Sequence, residues 1–236
     1  MRVERENMST AIEHDDHEVD AWPVCLTIAG SDSGGGAGIQ ADLRAFAYFE
    51  TFGAAAITAV TAQNPAEVRA VHALPPAMVR AQLLAVVEGG FEVSAAKTGM
   101  LQNAETVRAV VETLEDACQR FPLVVDPVMV ATSGAQLLEN SARQVLVERL
   151  LPLCEVVTPN IPETEALTGC RCQSATERLE AAFQLSRNAR CSVLLKGGHS
   201  ACDPYASDVL CDGERAWTLA TPRVEVSSTH GTGCSL

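Results

Sequence analysis

Four short stretches hold residues whose types and spacing suit phosphate chemistry. In "VVDPVM" Asp126 closes an apolar run, and in "TPNIPETEAL" Asn160 stands three residues before Glu163. "LLKGG" carries Lys196, and "HGTGC" places Cys234 directly after Gly231, Thr232 and Gly233. Two carboxylates and an amide at neighbouring strand ends can hold hydrated Mg²⁺, which needs few protein ligands because it keeps several waters. The Lys196 ammonium can meet a phosphate. The Gly-x-Gly turn lets backbone N–H groups converge with no Cβ in the way, an anion hole for charge developing in phosphoryl transfer. Each stretch also has a plainer reading. Glu163 suits a helix N-terminus through the dipole, and Gly-x-Gly is a common turn. Their joint occurrence favours magnesium and phosphate over separate accidents.

Such groups need a frame. The apolar runs "VCLTIAG", "AAAITAVTA", "AAKTG", "PLVVDPVM", "EVVTPN" and "SVLLKGG" alternate with helical patterns, which predicts a parallel sheet with crossover helices. Ala104, Val107, Val110, Val111, Leu114, Ala117 and Cys118 fall at i, i+3, i+4, i+7 spacing and predict one apolar helix face. Leu179, Ala182, Phe183, Ser186 and Ala189 repeat the pattern more weakly, and Asp212-Gly213 inside "DVLCDGERAWTL" reads as a hairpin. In an open parallel sheet ligands sit beyond the carboxyl ends of the strands. Gly30-Ser31-Asp32, Gln63-Asn64, Lys97-Thr98-Gly99, Asp126, Asn160 with Glu163, and Lys196 all follow apolar runs.

The glycine-rich "AGSDSGGGAGIQAD" after the first strand leaves two readings open. Gly36, Gly38 and Ala41 satisfy the looser G-x-G-x-x-A form of a dinucleotide fingerprint. That reading needs an acidic residue at the end of the second strand, where "TAVTAQNP" offers Gln63 and Asn64. The other reading is a tight strand-to-helix turn. No G-x-x-x-x-G-K-[ST] phosphate loop is present.

The 236 residues, 47% of them hydrophobic, suffice for the core of one α/β domain. A formal charge of -13 argues against nucleic acid as a partner, since the bulk field repels polyphosphate. A single small anion remains compatible, because it is held locally. Residues 1–21 read as a polar acidic tail and 22–236 as the domain. No segment has the apolar length of a membrane span or a signal peptide, so the expected location is the cytoplasm. The nine cysteines are scattered and odd in number, and are expected as packed, reduced thiols rather than a zinc site.

Taken in order, "LTIAGSDSGGGAGIQADL", "TAVTAQN", "KTGML", "VVDPVMVATSG", "TPNIPETEAL", "LLKGGH" and "HGTGC" resemble the hydroxymethylpyrimidine/phosphomethylpyrimidine kinases of thiamine biosynthesis, members of the ribokinase-like superfamily. The resemblance runs from about Val24 to Leu236. It implies an α/β fold, a ribokinase-like three-layer α/β/α sandwich with a mainly parallel central sheet, commonly a homodimer. It also implies MgATP-dependent phosphorylation of 4-amino-5-hydroxymethyl-2-methylpyrimidine and then of the monophosphate. Residue by residue, Asp42 and Gln63 match the polar contacts to the pyrimidine. Gly30, Met100 and Val128 match the pocket around the flat ring. Asp126 and Glu163 match magnesium positions, and Asn160 and Lys196 face the ATP phosphates. Gly231, Thr232 and Gly233 match the anion hole, with Cys234 where sugar kinases of this fold place an aspartate base.

Ser33-Gly34 stands where some members have Pro-Ser, and Thr132 replaces a lysine found in others. The family normally continues beyond the Gly-x-Gly-Cys turn, so Leu236 is read as the start of a further helix. Two other readings stay in play: a pyridoxal-type or sugar kinase on the same fold, and a pyrimidine-binding module without catalysis.

Overall fold

The computed structural model describes residues 22–117, 121–131, 134, 136–198 and 205–222. In chain order its regular elements are β1 (Val24–Asp32), α1 (Gly38–Tyr48), β2 (Phe52–Gln63), β3 (Val68–Ala73), α2 (Pro76–Val87), β4 (Val93–Thr98) and α3 (Ala104–Asp116). There follow β5 (Leu123–Val125), α4 (Asn140–Val145), β6 (Val156–Val157), α5 (Ile161–Thr168), α6 (Ala175–Ala189), β7 (Ser192–Leu195), β8 (Tyr205–Cys211) and β9 (Ala216–Pro222). All nine described strands form one sheet in the order β3-β2-β1-β4-β5-β6-β7-β8-β9. From β2 to β7 neighbours run parallel, while β3, β8 and β9 are antiparallel additions at the two edges.

The inner strands are mostly apolar because helices cover both faces of a parallel sheet. Leu26, Ile28, Ala56, Leu123, Val125, Val157, Val193 and Leu195 are all fully buried. Helix α3 buries the expected face from Ala104 through Val107, Val110, Val111 and Leu114, and the Asn103 side chain caps it by accepting the Thr106 N–H. Ala117 already lies past its last turn, and Cys118 is outside the described residues.

Helix α6 corrects its expected stripe. Ala181, Ala182, Leu185, Ser186 and Ala189 face inward, whereas Leu179 is exposed and Phe183 only partly covered. Small residues let the helix lie close against the sheet, and Ser186 satisfies its hydroxyl by donating to the Cys191 carbonyl at 2.6 Å. The Asp212 hairpin forms as expected: its carboxylate accepts the Glu214 and Arg215 N–H groups, and Gly213 takes φ 93°. Strand β3 was not anticipated. Asn64 Oδ1 accepts the Ala66 and Glu67 N–H groups and turns the chain back onto the outer edge of β2, where pairing rather than burial defines a strand.

Two features aim the fold at a site. Strand β1 lies between β2 and β4, so the connections diverge on its two sides and open a crevice at the carboxyl ends. Strands β5 and β6 are only three and two residues long, which delivers Asp126 and the Thr158–Asn160 stretch straight to that crevice.

Candidate active site

The β1–α1 loop closes on itself. Asp32, buried at the end of β1, accepts the Gly34 N–H on Oδ1 and the Gly36 and Ala37 N–H groups on Oδ2, at 2.8–2.9 Å. Gln40 bonds the Asp32 N–H and the Ser31 hydroxyl. These amides are therefore filled by the protein's own carboxylate rather than presented to a phosphate, and the glycines serve a tight strand-to-helix turn. Gly38 is held at φ 57°, where a Cβ would lie 2.2 Å from the Gly30 carbonyl oxygen. Gly38→Ala is expected to lower stability by at least about 2 kcal/mol in urea unfolding, through left-handed strain and overpacking together.

The expected ring-binding residues divide. Gly30 sits beside Met100, whose sulfur would be 3.4 Å from a Cβ at position 30. Met100 is fixed through its carbonyl, which accepts the Thr58 hydroxyl at 2.6 Å. With Ala59, Leu137 and the partly buried Val128, Val71 and Ala131 it forms an apolar cluster separate from the main core. That cluster is a wall suited to a flat heterocycle. Gln63 ends β2 beside the loop and is half-buried, its Oε1 3.4 Å from the Thr61 hydroxyl.

Asp42 differs from expectation. Its side chain is 1% exposed, with Oδ2 taken by the Thr27 hydroxyl at 2.6 Å and Oδ1 by Lys97 Nζ at 2.8 Å. Both oxygens are thus engaged, and the side chain has almost no exposed surface. A carboxylate buried this far is stable only when its oxygens are paired, so Asp42 ties α1 to β1 and β4 beneath the crevice rather than lining it.

The residues expected on the phosphate side come together. Lys196 Nζ donates to Asp126 Oδ1 at 2.9 Å, with both side chains almost wholly buried. The Asp126 N–H continues the sheet to the Thr98 carbonyl, and the Thr158 hydroxyl lies 3.4 Å from Asp126 Oδ1. Asn160 pairs with Lys196 across the adjoining strand ends. It also caps α5 in a reciprocal box, its side chain accepting the Glu163 N–H while Glu163 Oε2 accepts the Asn160 N–H, both at 2.8 Å. The plain helix-start reading of Glu163 is thus met, and a second property is added. Burial first, and then the nearby Asp126 charge, together push the Glu163 carboxyl up to about 7 against the lowering effect of the Asn160 N–H and of Lys196. Thr98 contributes a buried hydroxyl without a hydrogen-bond partner among the described residues. Gly197 is required sterically, since a Cβ there would lie 1.8 Å from the Ser207 carbonyl oxygen.

Gly231, Thr232, Gly233, Cys234 and the Thr132 departure lie outside the described residues. Reading by residue type notes Asp32 and Ser33 but not their roles in this turn, although an aspartate two residues before a glycine run is the ordinary signal of a side chain bonding the turn that follows it. Among the described residues no group of three or more His, Cys, Asp or Glu is placed to hold a metal, and Cys25, Cys154, Cys170, Cys172, Cys191 and Cys211 are free thiols.

A family model described as phosphomethylpyrimidine kinase matches residues 32–236. The chain belongs to that family. It is 48% identical over 217 residues to the hydroxymethylpyrimidine/phosphomethylpyrimidine kinase of Haemophilus influenzae, covering 89% of this chain and 78% of that enzyme. It is also 48% identical over 210 residues to the thiamine biosynthesis bifunctional protein of Geobacter sulfurreducens, covering 89% of this chain but only 42% of that longer protein. Among solved structures, the ADP complex of Bacillus subtilis pyridoxal kinase aligns with a TM-score of 0.82 at 34% identity, covering 91% of this chain and 80% of that one. The fold is accordingly the ribokinase-like α/β/α sandwich. The relatives' kinase activity implies ATP and a small-molecule acceptor. No helix of the described residues is long and apolar enough to cross a membrane.

Proposed function

We propose that this chain phosphorylates the hydroxymethyl group of 4-amino-5-hydroxymethyl-2-methylpyrimidine with MgATP, and then phosphorylates the monophosphate, in thiamine biosynthesis. The observation that carries this reading is the meeting of two unlike half-sites at the β4–β5 strand ends. Asp126 pairs with the Lys196 ammonium, while Val128, two residues on, joins the apolar wall with Met100. A flat ring on one side and polyphosphate on the other fit that division.

The donor set suits Mg²⁺. Asp126 and Glu163 are hard oxygen ligands, and the Asp126 charge adds to the burial that raises the Glu163 carboxyl, so a cation held there would offset both charges. When bound, the ion would offset charge on the transferring phosphate. Lys196 supplies a fixed positive charge at the same strand ends, and Asn160 anchors the turn that carries Glu163. The Gln63 amide can donate and accept at once, as an aminopyrimidine edge requires.

In the transfer step the substrate hydroxyl oxygen attacks the γ-phosphorus, ADP leaves, and Cys234 orients the hydroxyl and takes its proton. The Gly231, Thr232 and Gly233 amides meet the developing charge. Cys234→Ala is expected to lower kcat on the alcohol by about 10²–10⁴-fold, the usual contribution of a general base. Near-normal turnover in that variant would remove Cys234 from the step.

A coupled assay of ADP release, run with the alcohol and with its monophosphate, tests the whole reading; no release with either refutes it. The likeness to pyridoxal kinase makes pyridoxal the second acceptor to measure, and a higher kcat/KM for pyridoxal would reassign the chain. The reading carries with it a homodimer in the cytoplasm, checked by sedimentation and cell fractionation.

A further inference from the structure

Strand β1 stops pairing two residues before its neighbour β2 ends. The pairing of β1 with β2 ends at Asp32 and Thr61, because the Asp32 carboxylate winds the following residues into the glycine turn. Gln63, the last residue of β2, therefore lacks a β1 backbone partner. Its N–H donates to Ser33 Oγ at 2.8 Å, and its carbonyl accepts from the same Ser33 Oγ at 2.8 Å. One hydroxyl stands in for the missing strand, using its donor and an acceptor lone pair together. Gly34 leaves room for this approach: a Cβ there would sit 3.1 Å from the Gln63 carbonyl oxygen.

We infer that Ser33 is a positioning residue for the pyrimidine, clipping the backbone of Gln63 so that its side-chain amide starts from one fixed orientation. This rests on the reading above that Gln63 meets the ring. The Asp32 carboxylate holds the loop from which Ser33 reaches, so the clip is formed without substrate. An amide read by both its donor and its acceptor discriminates only if its plane is set, since a rotated amide offers the ring the wrong pair. The clip touches β1 and β2 alone, away from Asp126, Asn160 and Lys196. Its loss should therefore weaken the acceptor and leave the nucleotide unaffected.

The test is steady-state kinetics of the full chain with the hydroxymethyl pyrimidine and ATP as separately varied substrates. Ser33→Ala is expected to raise KM for the alcohol about three- to tenfold, the range of one or two exposed hydrogen bonds, with kcat and the KM for ATP within about twofold of wild type. Ser33→Thr, which keeps the hydroxyl, should restore KM. In a Gln63→Ala background the Ser33→Ala change should add nothing, because the clip then has no amide to orient. The inference is overturned if KM for the alcohol does not move, if both substrates weaken equally, or if the Ser33→Ala effect persists without the Gln63 amide. A wild-type protein that fails to phosphorylate the alcohol overturns the functional reading itself, and this inference with it.

Discussion

Lys196→Met is expected to remove phosphoryl transfer almost completely, with kcat falling about 10²–10³-fold while the KM for the pyrimidine changes little. Methionine keeps the length and apolar stem of lysine but not its charge, so the wall around it stays packed. What goes is the one ammonium bonded to Asp126 at the phosphate-side strand ends. A preorganised charge at the reacting phosphate is worth a few kcal/mol of transition-state stabilisation, which sets the size of the loss. The same change leaves Asp126 buried without its cation, and breaking a buried pair costs about 3–5 kcal/mol. Urea unfolding should show that loss beside the kinetic one. Lys196→Arg is not a conservative control, because a forked guanidinium does not fit where a single Nζ meets one carboxylate oxygen. A variant that kept near wild-type kcat would separate the Asp126–Lys196 pair from the reaction.

Glu163→Gln should reverse the usual relation between a loss of function and a loss of stability. With the carboxyl pushed up to about 7 from 4.5, the folded protein without added divalent cation holds this proton more tightly than the unfolded chain does. Stability from this group is thus fully present below about pH 4.5 and is lost as pH rises through 7. At pH 8 the wild-type protein carries a penalty of about 3 kcal/mol, at 1.36 kcal/mol per pKa unit. The amide removes that penalty. It also places an NH₂ where one of the Asn160 and Met129 N–H groups had an oxygen, so a net gain of about 1–2 kcal/mol is expected. Unfolding titrations in EDTA should show the variant more stable at pH 8, the gap closing and changing sign by pH 5. Kinase activity should fall, since the site loses a hard oxygen ligand. A variant equally destabilised at both pH values would show that the capping box, not the buried charge, dominates at this position.

Much of this architecture was legible because chemistry and secondary structure shared the same short words. An apolar run followed by Asp126, Asn160 or Lys196 announces both a strand and the end where a ligand is expected, and these three do meet. The sheet between them is long-range, yet alternation alone implies it. Asp42 shows the opposite limit: the motif carries a carboxylate, but residue type does not say that its oxygens are already engaged by Thr27 and Lys97. Strand β3 escaped because an edge strand is defined by pairing and has little burial pattern of its own. On helix α6 the small members of the expected stripe, Ala182, Ser186 and Ala189, are buried, while Leu179 is exposed and Phe183 only partly covered, because close packing on the sheet is achieved with small residues. The Ser33 clip was illegible in principle, since it depends on where β1 stops relative to β2. Nothing local to Ser33 encodes that offset.

The place of β1 in the strand order also governs how the chain meets the world while it is being made. Its first neighbour, β2, follows within a helix's length, and β3 folds back locally onto β2. The opposite edge of β1 has no partner until β4 is synthesised, so a nascent chain ending anywhere before Val93 exposes a nearly continuous apolar strand with open backbone groups. The strand that ends in the glycine turn is therefore also the one most dependent on timely completion, and the interval between β3 and β4 is where a chaperone would have most to protect.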